Sequence, residues 1–308
     1  MTFPPTMILN PAAKSEGAGE LQQILYKMAG EIRIELTEGV RSATEKAAKA
    51  ARNGSAVIVA AGGDGTINEV INGIVGTGAV LGIMPVGTAN VLARQLNLPI
   101  GIEEAWKVIK AGYIRAVDLV QVDYHLDGQP QRRHFVQMAG VGMDAHIIKR
   151  VTWKQKKRWG RFSYVFELFR AINDPLPPIK IEMDENPPRE GAFALIGNGE
   201  FYGGPFRVFN KASMTDGLMD VCLFQSNGFF NLLVYLQAIL RGTQASTRGI
   251  SYYQCRSVGM TSPSEVPIEV DGDFTGYLPA KFAVISQALK ILVPAPSGAC
   301  PPVPWLPP

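Results

Sequence analysis

The residues best suited to chemistry sit in short glycine-rich turns. Gly62-Gly63-Asp64-Gly65-Thr66 follows the apolar run Ala56 to Ala60 and precedes a helical pattern with Ile67, Val70, Ile71 and Ile74 on one face. Glycines let backbone N–H groups approach an anion closely, and the start of a helix adds about half a positive charge. A strand–glycine turn–helix unit is therefore a phosphate cradle. Asp64 inside it would repel a phosphate unless a divalent cation intervened, which points to Mg2+. The turn lacks the Gly-Lys-Ser/Thr of a Walker A loop and the spacing of the dinucleotide fingerprint. The alternative is a glycine turn that serves packing alone. A second turn, Pro85-Val86-Gly87-Thr88-Ala89-Asn90, follows Val80 to Met84 in the same way, and Asn10-Pro11 and Thr37 follow two further apolar runs. The ends of such strands meet at one edge of a parallel sheet, where ligands of open α/β sheets bind. Two Asp-Gly pairs, Asp216-Gly217 and Asp271-Gly272, offer carboxylates at strand ends. A carboxylate there can orient or deprotonate an attacking hydroxyl, and each pair taken alone also reads as a hairpin turn. His125, His134 and His146 show no metal-ligand spacing, and no Ser–His–Asp or Cys–His set assembles.

The elements that must hold these turns change character along the chain. Over the first 118 residues, strand runs at Met7 to Leu9, Ile32 to Leu36, Ala56 to Ala60 and Val80 to Met84 alternate with helical segments. Those segments lie around Glu20 to Ala29, Ala43 to Arg52 and Ile67 to Val75, and Asn53-Gly54 is a helix stop. The alternation predicts an α/β domain with a parallel sheet over residues 1–118, with a return of residues 290–300 to it left open. From Asp118 the runs Asp118 to Tyr124, His134 to Ala139, Ile179 to Met183, Ala192 to Gly197, Met219 to Phe224 and Val266 to Val270 are split by Gly and Pro turns. Helical interruptions are expected around Trp159 to Ile172 and Phe229 to Leu240. Residues 119–289 thus read as a mainly antiparallel second domain, and the proline-rich stretch 294–308 as an extended tail.

Composition excludes several classes. At 308 residues, 46% hydrophobic and 19% charged, the chain can bury a sizeable core. No apolar run reaches the roughly 20 residues of a spanning helix, and the start of the chain lacks a signal-peptide pattern. Three scattered cysteines, Cys222, Cys255 and Cys300, fit a reducing compartment, so a cytoplasmic protein is expected. The net charge of +3 hides seven cations between Ala145 and Phe166, without one Asp or Glu, on a remainder of −4. Within that block Lys154, Lys156, Lys157, Arg158 and Trp159 suit an anionic membrane surface, and equally a solvated helix face. With no nucleic-acid motif and a pI of about 8.7, nucleic acid is not expected as a partner.

Read together, Asn10-Pro11, Thr37, GGDGTINEVINGI (Gly62 to Ile74) and PVGTANVLAR (Pro85 to Arg94) resemble the diacylglycerol kinase catalytic-domain family, related to sphingosine and ceramide kinases and more distantly to NAD kinases. The resemblance continues through GNG (Gly197 to Gly199), Gly203-Gly204, TDGLMDV (Thr215 to Val221) and EVDGD (Glu269 to Asp273). It implies an ATP- and Mg2+-dependent lipid kinase with a β-sandwich C-terminal domain. The γ-phosphoryl of ATP would pass to the hydroxyl of a lipid such as diacylglycerol. By that pattern Asn10, Thr37, Gly62, Gly63, Asp64, Gly65, Thr66, Ile67, Asn68, Glu69 and Thr88 match nucleotide-binding positions, with Glu69 supporting the loop. Asp271 matches the general base, while Asp216, with Ser213 and Leu218, matches a Mg2+ site. A lipid substrate would bring a cytoplasmic protein to the inner membrane face; a homodimer is left open. The sequence departs from the pattern at Ala12-Ala13 after Asn10-Pro11, where Lys14 and Ser15 stand nearby, at Val91, where many relatives carry Asp, and at Asp273, where Glu is commoner. An NAD kinase, or a non-catalytic nucleotide or lipid sensor on the same fold, are the alternative readings.

Overall fold

The computed structural model describes residues 4–11, 30–150, 177–184, 186–202, 204 and 206–295. The helical segments expected around Glu20 to Ala29 and Trp159 to Ile172, Lys14 and Ser15, the cluster Lys154, Lys156, Lys157, Arg158 and Trp159, and the tail beyond residue 295 lie outside the described residues. The chain divides into two compact units, residues 1–119 with 286–308, and residues 120–285.

The first unit is built on β1 (Thr6–Leu9), β2 (Arg33–Leu36), β3 (Val57–Gly62) and β4 (Val80–Pro85). All pair in parallel in the order β4-β3-β1-β2, with Thr6 opposite Ile58 and Arg33, and Ala60 opposite Ile83. β1 and β3 are buried along their whole length, as expected of central parallel strands covered on both faces. Helix α1 (Ser42–Arg52) ends where Gly54 adopts a φ of 89°, the left-handed step that stops a helix. Helix α2 (Asp64–Ile74) buries Ile67, Val70, Ile71 and Ile74, about 1.5–3 kcal/mol each. It packs on α1 closely enough that a Cβ at Gly73 would lie 2.4 Å from the Thr44 carbonyl oxygen. The short α3 (Val91–Gln95) and α4 (Ile102–Ala111) follow β4, with Trp106 and Ile109 of α4 in the core.

The second unit is an antiparallel sandwich. Its strands are β5 (Ile114–Leu126), β6 (Gln129–Phe135), β7 (Met138–Val141), β8 (Ile179–Met183), β9 (Arg189–Gly191) and β10 (Phe193–Gly197). The short pair β11 (Phe201–Tyr202) and β12 (Phe206–Arg207) is followed by β13 (Met219–Phe224), β14 (Ile250–Cys255), β15 (Ser257–Thr261), β16 (Pro267–Val270) and β17 (Asp273–Leu292). One layer runs β14-β13-β10-β7-β16-β17, and the strands off that path are β15 with β8 and β9, and β5 with β6. Val120, Phe135, Ile181, Ile196, Val221, Val258, Ile268 and Phe282 fill the space between them. A second apolar layer forms where Met143 and Ile147 of α5 (Met143–Arg150), with Tyr235 and Ala238 of α6 (Phe229–Arg241), meet Phe193, Cys222 and Phe224.

Three features differ from the sequence reading. The run His134 to Ala139 is two strands, broken at Val136-Gln137. Helices α3, α4 and α5 add to the expected set. β17 runs for 20 residues through Gly276 and Pro279, pairing first with β16, then with β15, and at Lys290 and Ile291 in parallel with β4. Strands β5 and β17 therefore supply residues to both units.

Candidate active site

In the first unit the two glycine turns touch. β3 ends at Gly62 and β4 at Pro85, and the Val86 N–H donates to the Gly62 carbonyl at 3.1 Å. A Cβ at Gly87 would fall 2.5 Å from the Gly63 Cα, and one at Gly62 would strike Thr66 at 2.5 Å. Glycine is needed here for close approach, since Gly63 has an ordinary extended backbone with φ −85° and ψ −176°. Asn90, at φ 48°, closes the second turn by accepting from the Gly87 N–H at 3.0 Å and donating to the Gly87 carbonyl at 2.9 Å.

Asp64 ties one turn to the other: its Oδ1 accepts the Val91 N–H at 2.7 Å. Burial raises the Asp64 carboxyl above its ordinary value, and the N–H groups of Val91, Leu92 and Asn90 work against that rise. The carboxylate that the sequence offered to a cation is thus engaged in fixing the start of α3, at Val91 itself. Asn10 donates to Thr66 Oγ1 at 3.0 Å, and its own N–H bonds the Ala61 carbonyl at 2.9 Å. The Thr37 N–H bonds the Leu9 carbonyl at 2.8 Å. Asn10, Gly62 to Thr66 and the Gly87 turn therefore gather at the carboxyl edge of the sheet, with Thr37 one strand further out.

Ile67 and Asn68 are buried in α2, where Asn68 accepts from Asn72. Thr88 is exposed on the second turn. Glu69 is engaged with backbone: its two oxygens accept the N–H groups of Arg41 and Ala43, both at 3.0 Å, and so cap α1. The N-cap residue of α2, Gly63, makes no side-chain cap, and the N–H groups of Gly65 and Thr66 in the first turn face that edge as donors for an anion.

In the second unit Asp271 and Gly272, at φ 48° and 86°, form the two-residue turn between β16 and β17. The carboxylate does more than close a hairpin. Its Oδ1 accepts from Gln137 at 3.2 Å and Met138 at 3.0 Å, its Oδ2 from Val136 at 3.4 Å, and its N–H donates to the Met138 carbonyl at 2.9 Å. Those donors are the two residues of the break between β6 and β7 and the first residue of β7, a stretch that the GNG segment holds in turn. Asn198 Nδ2 donates to the Val136 carbonyl at 2.9 Å, and the N–H groups of Asn198 and Gly199 donate to the Gln137 carbonyl at 2.8 and 3.1 Å. Asp273 is paired with Arg133 at 3.1 Å.

Ser213, Asp216 and Leu218 lie in one loop before β13. Asp216 Oδ1 accepts the Leu218 N–H at 3.0 Å across Gly217, and Ser213 Oγ lies 3.3 Å from Thr215 Oγ1. Among the described residues no group of three His, Cys, Asp or Glu side chains could hold a metal. The loop's donors are one carboxylate plus hydroxyl and carbonyl oxygens, an all-oxygen set of the kind that hard divalent cations take. Sequence reasoning named Asn198 and Glu269 only as members of the GNG and EVDGD motifs, without a role, and missed Gln137 and Asp144. Glu269 carried a signal, being a charged residue on a strand that is buried on both faces.

Comparison with known proteins adds the family. Residues 4–122 match the diacylglycerol kinase catalytic domain, and residues 137–293 match the YegS C-terminal NAD kinase beta sandwich-like domain. A diacylglycerol kinase of Staphylococcus saprophyticus is 29% identical over 296 residues, covering 94% of each chain. One of Staphylococcus epidermidis is 28% identical over 274 residues, covering 88% of this chain and 84% of its own. Among solved structures, a diacylglycerol kinase from Bacillus anthracis str. Sterne superposes with a TM-score of 0.74 at 23% identity, over 94% of this chain and 97% of that one. Yeast NADH kinase, complexed with NADH, gives 0.57 at 11% identity over 96% and 84%, a likeness of fold alone. With both domains matched in series over the parallel-sheet unit and the sandwich, the chain belongs to the diacylglycerol kinase catalytic-domain family, on a fold shared with NAD kinases.

Proposed function

We propose that the protein is a lipid kinase that moves the γ-phosphoryl of ATP to the hydroxyl of a diacylglycerol-like lipid. The observation that carries this reading is the pair of glycine turns locked backbone to backbone, beside the uncapped first turn of α2. Phosphoryl transfer asks a protein chiefly to position phosphates and offset their charge. Gly62 to Thr66 offers backbone N–H groups at a turn rich in glycine, where Asn10 bonds the Thr66 hydroxyl, Asp64 ties the loop to Val91 and Asn90 closes the adjoining Gly87 turn. The curated relatives named diacylglycerol kinase, similar along nearly the whole chain, support the lipid acceptor.

In this reading Asp271 accepts the proton of the attacking hydroxyl, held in position by three backbone N–H groups. Mg2+ at the Asp216 carboxylate and the carbonyls of Ser213 and Leu218 would supply positive charge to that loop. An acceptor of this class lies in a bilayer. The exposed apolar row Phe230, Leu233, Val234, Leu236 and Leu240 of α6, on a helix without acidic residues, supports a protein that visits one.

Two measurements test the proposal. Labelled ATP incubated with a native lipid extract or with NAD separates the lipid kinase from an NAD kinase, and the absence of product from both would favour a sensor. Asp271→Asn is expected to lower turnover by at least about 100-fold while leaving ATP affinity unchanged. Near-normal turnover in that variant would refute the assignment of the base.

A further inference from the structure

Behind the Asp271 turn lies a pair of carboxyl groups that the phosphate and acceptor sites do not use. Glu269, on β16, is fully buried and Asp144, on α5, is partly so, with one oxygen of each accounted for. Asp144 Oδ1 accepts from the Tyr202 hydroxyl, and Glu269 Oε2 accepts the Gly272 N–H at 2.8 Å. The other two, Asp144 Oδ2 and Glu269 Oε1, are buried without a hydrogen-bond donor. They converge on Gly140: a Cβ there would lie 2.5 Å from Asp144 Oδ2 and 3.0 Å from Glu269 Oε1. Two acceptors facing each other out of water are incompatible with two ionised groups, and one proton between them satisfies both.

We propose that Glu269 and Asp144 share that proton, and that the pair positions Asp271 by anchoring the Asp271-Gly272 turn through the Gly272 N–H. The inference rests on the reading of Asp271 as the base. Burial raises both carboxyls and each is the other's neighbour, in agreement with one proton held between them. That proton sits on Glu269, which donates it to Asp144. Glu269 in this state is a neutral strut with one donor and one acceptor. The backbone it holds is flanked by the base on one side and Asp273 on the other. Gly140 is then required because any side chain would enter the contact.

A glutamine reproduces a protonated glutamate in shape and in hydrogen bonding, whereas leucine keeps only the volume. Glu269→Gln is expected to keep kcat within about threefold, and Glu269→Leu to lower it by at least about 100-fold with the ATP KM within about twofold, the cost of a displaced reacting group. Infrared spectra at neutral pH should show the carbonyl stretch of a buried protonated acid in the unmodified protein and lose it in Glu269→Gln. No such band, or a glutamine variant as inactive as the leucine one, would overturn the proposal. If Glu269→Leu fails to fold, the infrared comparison of the parent and Glu269→Gln decides alone. The band does not depend on turnover, so an active Asp271→Asn would remove the base while leaving the shared proton standing.

Discussion

Asp220 shows how one side chain in this fold ties stability to pH. It sits buried on β13 with Oδ1 accepting the Tyr252 hydroxyl at 2.5 Å. Burial pushes the carboxyl from its ordinary 3.8 to about 6, with the Asp216 charge adding to the rise. As pH climbs from about 4 to about 6, the unfolded chain releases this proton before the folded one does, so stability falls across that interval and levels off above it. Asp220→Asn, which cannot ionise, is expected to match the parent's melting temperature near pH 4 and exceed it above pH 6. A constant offset at all pH values would contradict this. At this scale the sequence revealed residue types but not their partners. Asp271-Gly272 was legible as a turn bearing a carboxylate. The three N–H groups that grip it come from residues 136–138, which read as the middle of one strand. Asp64, inside the glycine turn, read as a partner for a divalent cation and Glu69, by the family resemblance, as a support of that loop, yet each spends oxygens on the backbone of a neighbouring helix.

At the scale of the element, helix ends are held by side chains from elsewhere in the sequence. α1 begins after Arg41, whose φ of 64° is left-handed and whose side chain makes no cap. The cap comes instead from Glu69 in α2, which also accepts the Thr44 hydroxyl through its backbone carbonyl at 2.9 Å. Two backbone donors on a carboxylate predict a loss of about 2 kcal/mol for Glu69→Ala and a smaller loss for Glu69→Gln, read by denaturant unfolding. If the alanine variant is as stable as the parent, the cap contributes nothing to the fold. Periodicity made α1, α2 and the parallel strands legible, since their apolar positions repeat at helical spacing or fill four to six residues without a break. It failed on β17, where Gly276 and Pro279 look like turn signals. The strand tolerates them because Pro279 falls between the pairings with β16 and β15, and Gly276 lies at the register shift of the β16 ladder.

At the scale of the molecule the chain leaves the parallel sheet at residue 119 and returns to it at residue 286. On its return the Val293 N–H bonds the Tyr113 carbonyl at 2.9 Å, and the Gln287 N–H bonds Asp118 Oδ1 at 2.7 Å. Ile291 and Leu292 enter the core of the first unit. A chain ending at Ile285 is therefore expected to lose the cooperative unfolding of the first unit, monitored by hydrogen exchange in β3 and β4, although every glycine turn is still encoded. Normal protection of those strands in the truncated chain would show that the returning segment is dispensable. The α/β and antiparallel character of the two halves was legible from their differing hydrophobic periods. The β4–β17 pairing was not, because local pattern carries no information about which distant strand lies alongside.

That return has a consequence for synthesis. β4 is complete once Pro85 leaves the ribosome, but the neighbour that covers its outer edge, Lys290 and Ile291, is made only after the whole sandwich has been translated. The sandwich has its strands in hand earlier, so it can fold while the parallel-sheet unit still presents an open strand edge. During translation the first unit to be started is the last to be finished, and its exposed edge is the place where a chaperone, or a misplaced strand, would find it.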